Sequence, residues 1–140
     1  MDEAIITINS EQLFDDGNND SIKFVTSGEF SKIDSHYYIC YNESQITGLE
    51  GVITSLDIEN SRIVLTRKGS VNHEMVFQKG ERNHCMYDTG EGYITICVST
   101  IDIDLKLGEN GGSLYIEYTL DMSSALLSRN RINILIETKE

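Results

Sequence analysis

Apolar residues in this chain recur at every second position, and no long stretch carries the spacing of a helix. Leu114, Ile116, Tyr118, Leu120 and Met122 give the longest run, and Ile132, Ile134 and Ile136 repeat the pattern near the end. Earlier runs are Ile6 and Ile8, then Ile22 and Phe24 towards Phe30, then Tyr37, Ile39 and Tyr41. Leu56 and Ile58 close a strand that begins near Gly51, and Ile63 and Leu65 open the next. Val71, His73, Met75 and Phe77 share a face, and Met86 and Tyr87 belong to a further strand. Between the runs lie turn-forming residues: the acidic stretch 15–20, Asn60-Ser61, Lys68-Gly69-Ser70, Lys79-Gly80-Glu81 and Thr89-Gly90-Glu91-Gly92. Asn110-Gly111-Gly112 is the strongest hairpin signal. The best helix candidates, residues 10–14 and 123–127, are each only about one turn long, too short to stand alone.

Two interruptions of the alternation predict bends. The apolar set Ile94, Ile96, Val98 jumps to Ile101, Ile103, Leu105, which requires an inserted residue near Ser99-Thr100. A second shift is expected between Ile53 and Leu56. Without helices to cover it, a sheet of eight to ten strands buries its apolar face by curling and closing on itself. Closure also removes exposed edges, and this chain has no proline with which to protect one. The expectation is therefore an all-β fold, a single closed or nearly closed antiparallel barrel spanning residues 1–140 as one domain.

Twenty-three acidic against 11 basic side chains leave a formal charge of −12. Such a surface repels phosphate and anionic lipid, which argues against nucleic-acid and membrane partners; it reads first as a solvated exterior, with a basic protein or a cationic ligand as the complementary partner. Cys40, Cys85 and Cys97 are odd in number and lack C-x-x-C spacing, so they form neither a disulfide framework nor a zinc knuckle. The acidic start Met1-Asp2-Glu3 is unlike a signal peptide, and no run approaches the roughly 18 apolar residues of a membrane span. A reducing cytoplasmic location is the expectation.

Motifs that carry chemistry are scarce. His36 and Cys40 share a strand face but stand about 13 Å apart, too far for one ion. His84 and Cys85 are adjacent and so point to opposite faces. Asp102 and Asp104 read as a solvated face, and Gly90-Glu91-Gly92 leads into a strand, with no helix N-terminus to hold a phosphate. No metal, cofactor or catalytic residue is assigned. The unusual residue is Arg67, in phase with Ile63 and Leu65 and therefore directed inward, where a guanidinium needs a partner. Two roles are open to it: an internal ion pair closing one end of the barrel, or a cationic anchor for an acidic ligand.

Leu65-Thr66-Arg67-Lys68-Gly69, Met75-Val76-Phe77, Gly80, Tyr87-Asp88-Thr89, Gly92 and Thr100, with Asn110-Gly111-Gly112 and Tyr118-Thr119-Leu120, resemble the YwiB-like family of uncharacterised bacterial proteins. The resemblance runs from about Tyr37 to the C-terminus. It implies a calycin-type barrel, the architecture of lipocalins, in a cytosolic protein of low-GC Gram-positive bacteria, and it supplies no function. Members usually carry a Thr-Pro-aromatic-Gly turn where this chain has Thr89 followed by Gly90-Glu91-Gly92, so any rim built on that turn is altered here.

The leading functional expectation is a non-enzymatic barrel that holds a small, partly apolar or acidic ligand in its interior. Its mouth or interior would be lined by Tyr37, Tyr41, Met75, Phe77 and Tyr87, with Arg67 as polar anchor. The alternative is a protein-interaction module whose acidic exterior docks on a basic partner. An enzyme would have to draw on Arg67, His73 or Tyr87, and no pair of reactive groups stands at a catalytic spacing.

Overall fold

The computed structural model describes residues 2–88, 91–122 and 125–139. Ten strands follow in order: β1 (Asp2–Phe14), β2 (Asn19–Ile33), β3 (His36–Asn42), β4 (Val52–Glu59), β5 (Arg62–Gly69), β6 (His73–Phe77), β7 (Arg82–Asp88), β8 (Tyr93–Gly108), β9 (Gly111–Met122) and β10 (Ala125–Thr138). One 3₁₀ turn, Gln45–Thr47, interrupts the connection from β3 to β4. No helix among the described residues is long and apolar enough to cross a membrane.

All strands belong to one antiparallel sheet in the order β6-β5-β4-β3-β2-β1-β10-β9-β8-β7. Neighbours are adjacent in sequence except where β1 pairs with β10, from Ala4 opposite Thr138 to Phe14 opposite Ser128. That one long-range ladder joins two meanders and curls the sheet into a barrel. The remaining seam lies between β6 and β7, and Thr100 on β8 stitches it. Its Oγ1 accepts from Gln78 N at 3.2 Å, its carbonyl accepts from Gly80 N at 2.9 Å, and its own N–H donates to the Glu81 carbonyl at 3.0 Å. Asn83 Nδ2 adds a 3.4 Å bond to the Val76 carbonyl, so the barrel is nearly closed without a regular ladder at this point.

The bend expected near Ser99-Thr100 is present as a register shift between Thr100 and Asp102 against β9. The extra residue is Ile101. It is 44% exposed, whereas Val98 and Thr100 before it are buried and Ile103 after it packs on the core. Ile101 therefore does not belong to the inward set in which the alternation placed it. The shift expected between Ile53 and Leu56 is absent, because β4 pairs without interruption with both β3 and β5. Val52, Thr54, Leu56 and Ile58 face inward and Ile53 faces out, so the inward position is held by a threonine where the sequence offered an isoleucine. Residues 10–14 continue β1 as strand, and 125–127 begin β10, while Ser123 and Ser124 lie outside the described residues.

Turn chemistry fixes the hairpins. Asn60 and Ser61 both hold positive φ, the left-handed pair that a two-residue hairpin requires between twisted strands. At Gly112, φ is +138° and a Cβ would collide with the Lys106 carbonyl oxygen, so only glycine lets β8 and β9 approach there.

The interior divides along its length. Ile58, Ile63 and Phe77 form one cross-strand row, followed by Leu56, Leu65, Met75, Ile39 and Phe30. This half is solid, with Phe30, Ile39, Leu56, Ile58, Ile63 and Phe77 fully buried. Ile6, Leu114, Ile116 and Ile136 complete it from the opposite wall. The next row is His73, Arg67, Thr54, Tyr41, and it is polar throughout.

Candidate functional site

The polar row forms because four consecutive strands place a polar or amphipathic residue at the same height. Tyr41 on β3 lies opposite Thr54 on β4, which lies opposite Arg67 on β5, which lies opposite His73 on β6. Gly28 on β2, opposite Tyr41, ends the row with no side chain. Glu43 follows Tyr41 in the same phase just beyond β3, and its N–H bonds to the Val52 carbonyl at 2.9 Å, which turns its side chain into the barrel.

Glu43 is only 3% exposed. Its Oε2 accepts a 2.5 Å hydrogen bond from the Thr54 hydroxyl, and the Tyr41 phenol lies near enough to feel the carboxylate charge. Arg67, 18% exposed, places Nε 3.8 Å from the same carboxylate oxygen. That distance gives Coulombic attraction without a hydrogen bond, and Arg67 Nε has no hydrogen-bond partner. Arg67 Nη1 donates instead to His73 Nε2 at 3.3 Å. An acceptor Nε2 places the ring proton on Nδ1, which also lacks a partner. The imidazole stacks on Tyr87 with centroids 4.5 Å apart and 21° between planes.

The titration behaviour follows from this packing. Burial, and then the Arg67 charge, pull His73 down from 6.5 to about 4, so its ring is neutral at pH 7. Burial, and then the Glu43 carboxylate, push the Tyr41 phenol upward, with Arg67 opposing. Burial raises Tyr118 to about 12, again against the pull of Arg67. Arg67 thus stands as the one guanidinium in the row, its charge balanced by one carboxylate and by no second cation.

Beside this row the barrel interior holds a partly open cavity of about 280 Å³. Tyr41, Leu56, Leu65, Arg67, Met75 and Tyr87 form one wall. Ile116, Tyr118, Asn130 and Ile134 stand on the other, and Glu11, Gln12, Thr47 and Leu49 lie at the mouth. The 3₁₀ turn that positions Thr47 is capped by Ser44, whose Oγ accepts from Ile46 N at 3.1 Å. Asn130, 2% exposed, donates from Nδ2 to Ser128 Oγ at 3.0 Å, and its Oδ1 has no hydrogen-bond partner.

Of the six residues singled out from sequence, four line this cavity: Arg67, Tyr41, Met75 and Tyr87. Tyr37 and Phe77 do not. Tyr37 is at the solid end, where its hydroxyl donates to the Leu107 carbonyl at 3.1 Å and its ring stacks on Phe30. Phe77 is fully buried against Tyr118, with centroids 4.8 Å apart. Both fill the core because their strands place them in the row of Ile58 and Ile63, two rows below Arg67. Of the two roles open to Arg67, the internal ion pair is present, with Glu43. Sequence reasoning missed Glu43, Thr54 and Asn130. The available signal was that Glu43 extends the phase of Tyr37, Ile39 and Tyr41 by one step.

His84 and Cys85 do point to opposite faces, with Cys85 buried inside and His84 exposed outside. The histidine pairs with Cys97 across the strands, Nδ1 to Sγ at 3.5 Å. Arg82 on β7 reaches Asp121 on β9 with Nη2 to Oδ1 at 2.6 Å, passing over β8 beside that thiol. The altered turn Thr89-Gly90-Glu91-Gly92 falls partly outside the described residues, at Thr89 and Gly90.

Comparison with known proteins agrees with this architecture. The Bacillus subtilis (strain 168) "Uncharacterized beta-barrel protein YwiB" is 27% identical over 119 residues, covering 84% of this chain and 82% of that protein. The crystal structure of the ywiB protein from Bacillus subtilis superposes with a TM-score of 0.86 at 23% identity, over 99% of this chain and 93% of that one, which establishes the fold. Residues 6–134 match a family described as a domain of unknown function, and the chain belongs to that family, DUF1934.

Proposed function

We propose that the barrel is a non-enzymatic binding protein for a small, partly apolar ligand held in the interior cavity. The observation that carries this reading is the division of the interior: one half is packed solid, and the other leaves about 280 Å³ beside a polar row. Apolar walls with a few convergent polar groups are the usual composition of a ligand site, and this volume suits a small molecule. A core built only for stability would have closed the space, since unfilled volume between side chains forfeits packing contacts. Tyr87 and Tyr118 supply flat apolar faces, and Arg67 and Asn130 supply polar contacts. The polar groups do not suit acid–base catalysis at neutral pH: His73 is neutral and bound to a guanidinium, and Tyr41 and Tyr118 hold their protons.

Native mass spectrometry of gently purified protein tests the reading. A bound mass that disappears on denaturation, and that a cavity-filling Leu65→Trp variant no longer carries, is the expected result. A bare wild-type protein that also gains no thermal stability from any member of a small-fragment library would overturn it.

A further inference from the structure

On the outer wall, away from the cavity, three strands set a thiol between an imidazole and a guanidinium. Cys97 on β8 lies opposite His84 on β7 and opposite Asp121 on β9, so the three form one cross-strand row. The row faces outward, because Val98 and Cys85, the chain neighbours of Cys97 and His84, belong to the core. Cys97 Sγ lies 3.5 Å from His84 Nδ1, within hydrogen-bonding range for sulfur. Arg82 starts one row away, opposite Ser99, and reaches into this row to bind Asp121 at 2.6 Å, within electrostatic reach of the thiol. Cys97 is only 6% exposed, but His84 and Arg82 beside it are surface side chains that rotate without moving the backbone. The other two thiols lack this setting. Cys85 points into the barrel, where burial pushes its thiol up. Cys40 is more exposed than Cys97, but its row consists of Glu29, Ser55 and Thr66 and holds no cation.

We propose that Cys97 is a thiol-modification site, activated by His84, that takes up a low-molecular-weight disulfide. The thiolate is the nucleophile in such an exchange, and neighbouring imidazole and guanidinium groups favour it. The Cys97 S–H proton passes to His84 Nδ1, and the sulfur attacks one sulfur of the disulfide. The S–S bond breaks, and the leaving thiolate takes the proton from the imidazole. The products are a mixed disulfide on Cys97 and one free small thiol, so no further oxidant is required. A small thiol reverses the step by the same route.

Hydroxyethyl disulfide, which is small and uncharged, tests the site on the full reduced chain at neutral pH, with peptide mapping by mass spectrometry following each cysteine. Accessibility alone ranks Cys40 ahead of Cys97. A free thiol is only a few per cent ionised at neutral pH, so full ionisation gains at most about thirtyfold. The lower nucleophilicity of a stabilised thiolate takes part of that back. Cys97 should therefore react roughly tenfold faster than Cys40. His84→Gln separates chemistry from cover. It should slow Cys97 by a similar factor, whereas loss of a ring that merely shields the thiol would leave the rate unchanged or raise it. Cys40 reacting as fast as Cys97 or faster, or a Cys97 rate that is unchanged or higher in His84→Gln, overturns the inference. The wild-type ranking decides even if the variant does not fold.

Discussion

Acidification should expose the cost of burying His73. Its ring lies in the polar row, stacked on Tyr87 and bonded to Arg67, and a proton on Nε2 would place two cations 3.3 Å apart. The folded-state value of about 4 lies below the ordinary 6.5, so the unfolded chain takes up the proton first as pH falls. Stability contributed by the neutral ring is therefore complete above about pH 7.5 and shrinks as pH drops from 6.5 towards 4. At ~1.4 kcal/mol per pH unit, the displacement from 6.5 to about 4 amounts to a loss of about 2 kcal/mol at pH 5 and about 3 kcal/mol at pH 4. Other groups titrate over the same range, so the quantity to measure is a difference. Urea unfolding of the wild type and of His73→Gln, each at pH 7.5, 5 and 4, isolates this one site. Relative to the variant, the wild type should lose the amounts given. NMR titration of the His73 ring in the folded protein should show no transition near 6.5 and a midpoint only at about 4. Parallel pH dependence of the two proteins, or a ring that titrates near 6.5, would refute the argument. Arg67→Met should move the value only part of the way back, because burial is the larger cause.

The bulge separates two isoleucines two residues apart. Ile101→Ser should change stability by no more than about 0.5 kcal/mol and Ile103→Ser should cost about 2 kcal/mol or more, as read by urea midpoints at unchanged m-value. Gly112→Ala should cost about 2 kcal/mol or more, because the new Cβ meets a backbone carbonyl at a strained φ, and thermal unfolding will show it. On the outer wall His36 lies between Glu59, which hydrogen-bonds its Nδ1 at 2.9 Å, and Asp57 at Nε2. The hydrogen bond to Glu59 leads in raising its pKa, so the stability it adds is present below pH 6.5 and fades as pH rises through the elevated value. NMR titration should place His36 above 6.5 in the wild type and lower in Glu59→Gln.

The barrel was legible because period-two alternation is a local property. Each strand states which face it buries, and turn residues such as Asn60-Ser61 and Gly111-Gly112 state where the chain reverses. Even the bulge on β8 could be read, since a face cannot change without an extra residue. What misled was the assumption that the more apolar neighbour faces in. At Ile53 and Thr54 it failed, because the inward position on β4 belongs to a row whose other members are Tyr41 and Arg67. Thr54 is held there by its bond to Glu43, and Ile53 is left half exposed. Ile101 misled for a related reason, since the inserted residue of a bulge belongs to neither phase.

The chain's alternation and turn chemistry by themselves determined an all-β meander, its antiparallel hairpins and the inward direction of Arg67. Pairing of β1 with β10, the seam stitched by Thr100, and the heights at which residues meet were decided by the tertiary structure. Those heights are what turn isolated polar residues on β3 to β6 into one row with a cavity beside it. They also send Tyr37 and Phe77 into solid core, while Tyr41, Met75 and Tyr87 line open space. The physical reason is that side-chain direction repeats every two residues along a strand, whereas register between strands is set by partners far away in sequence.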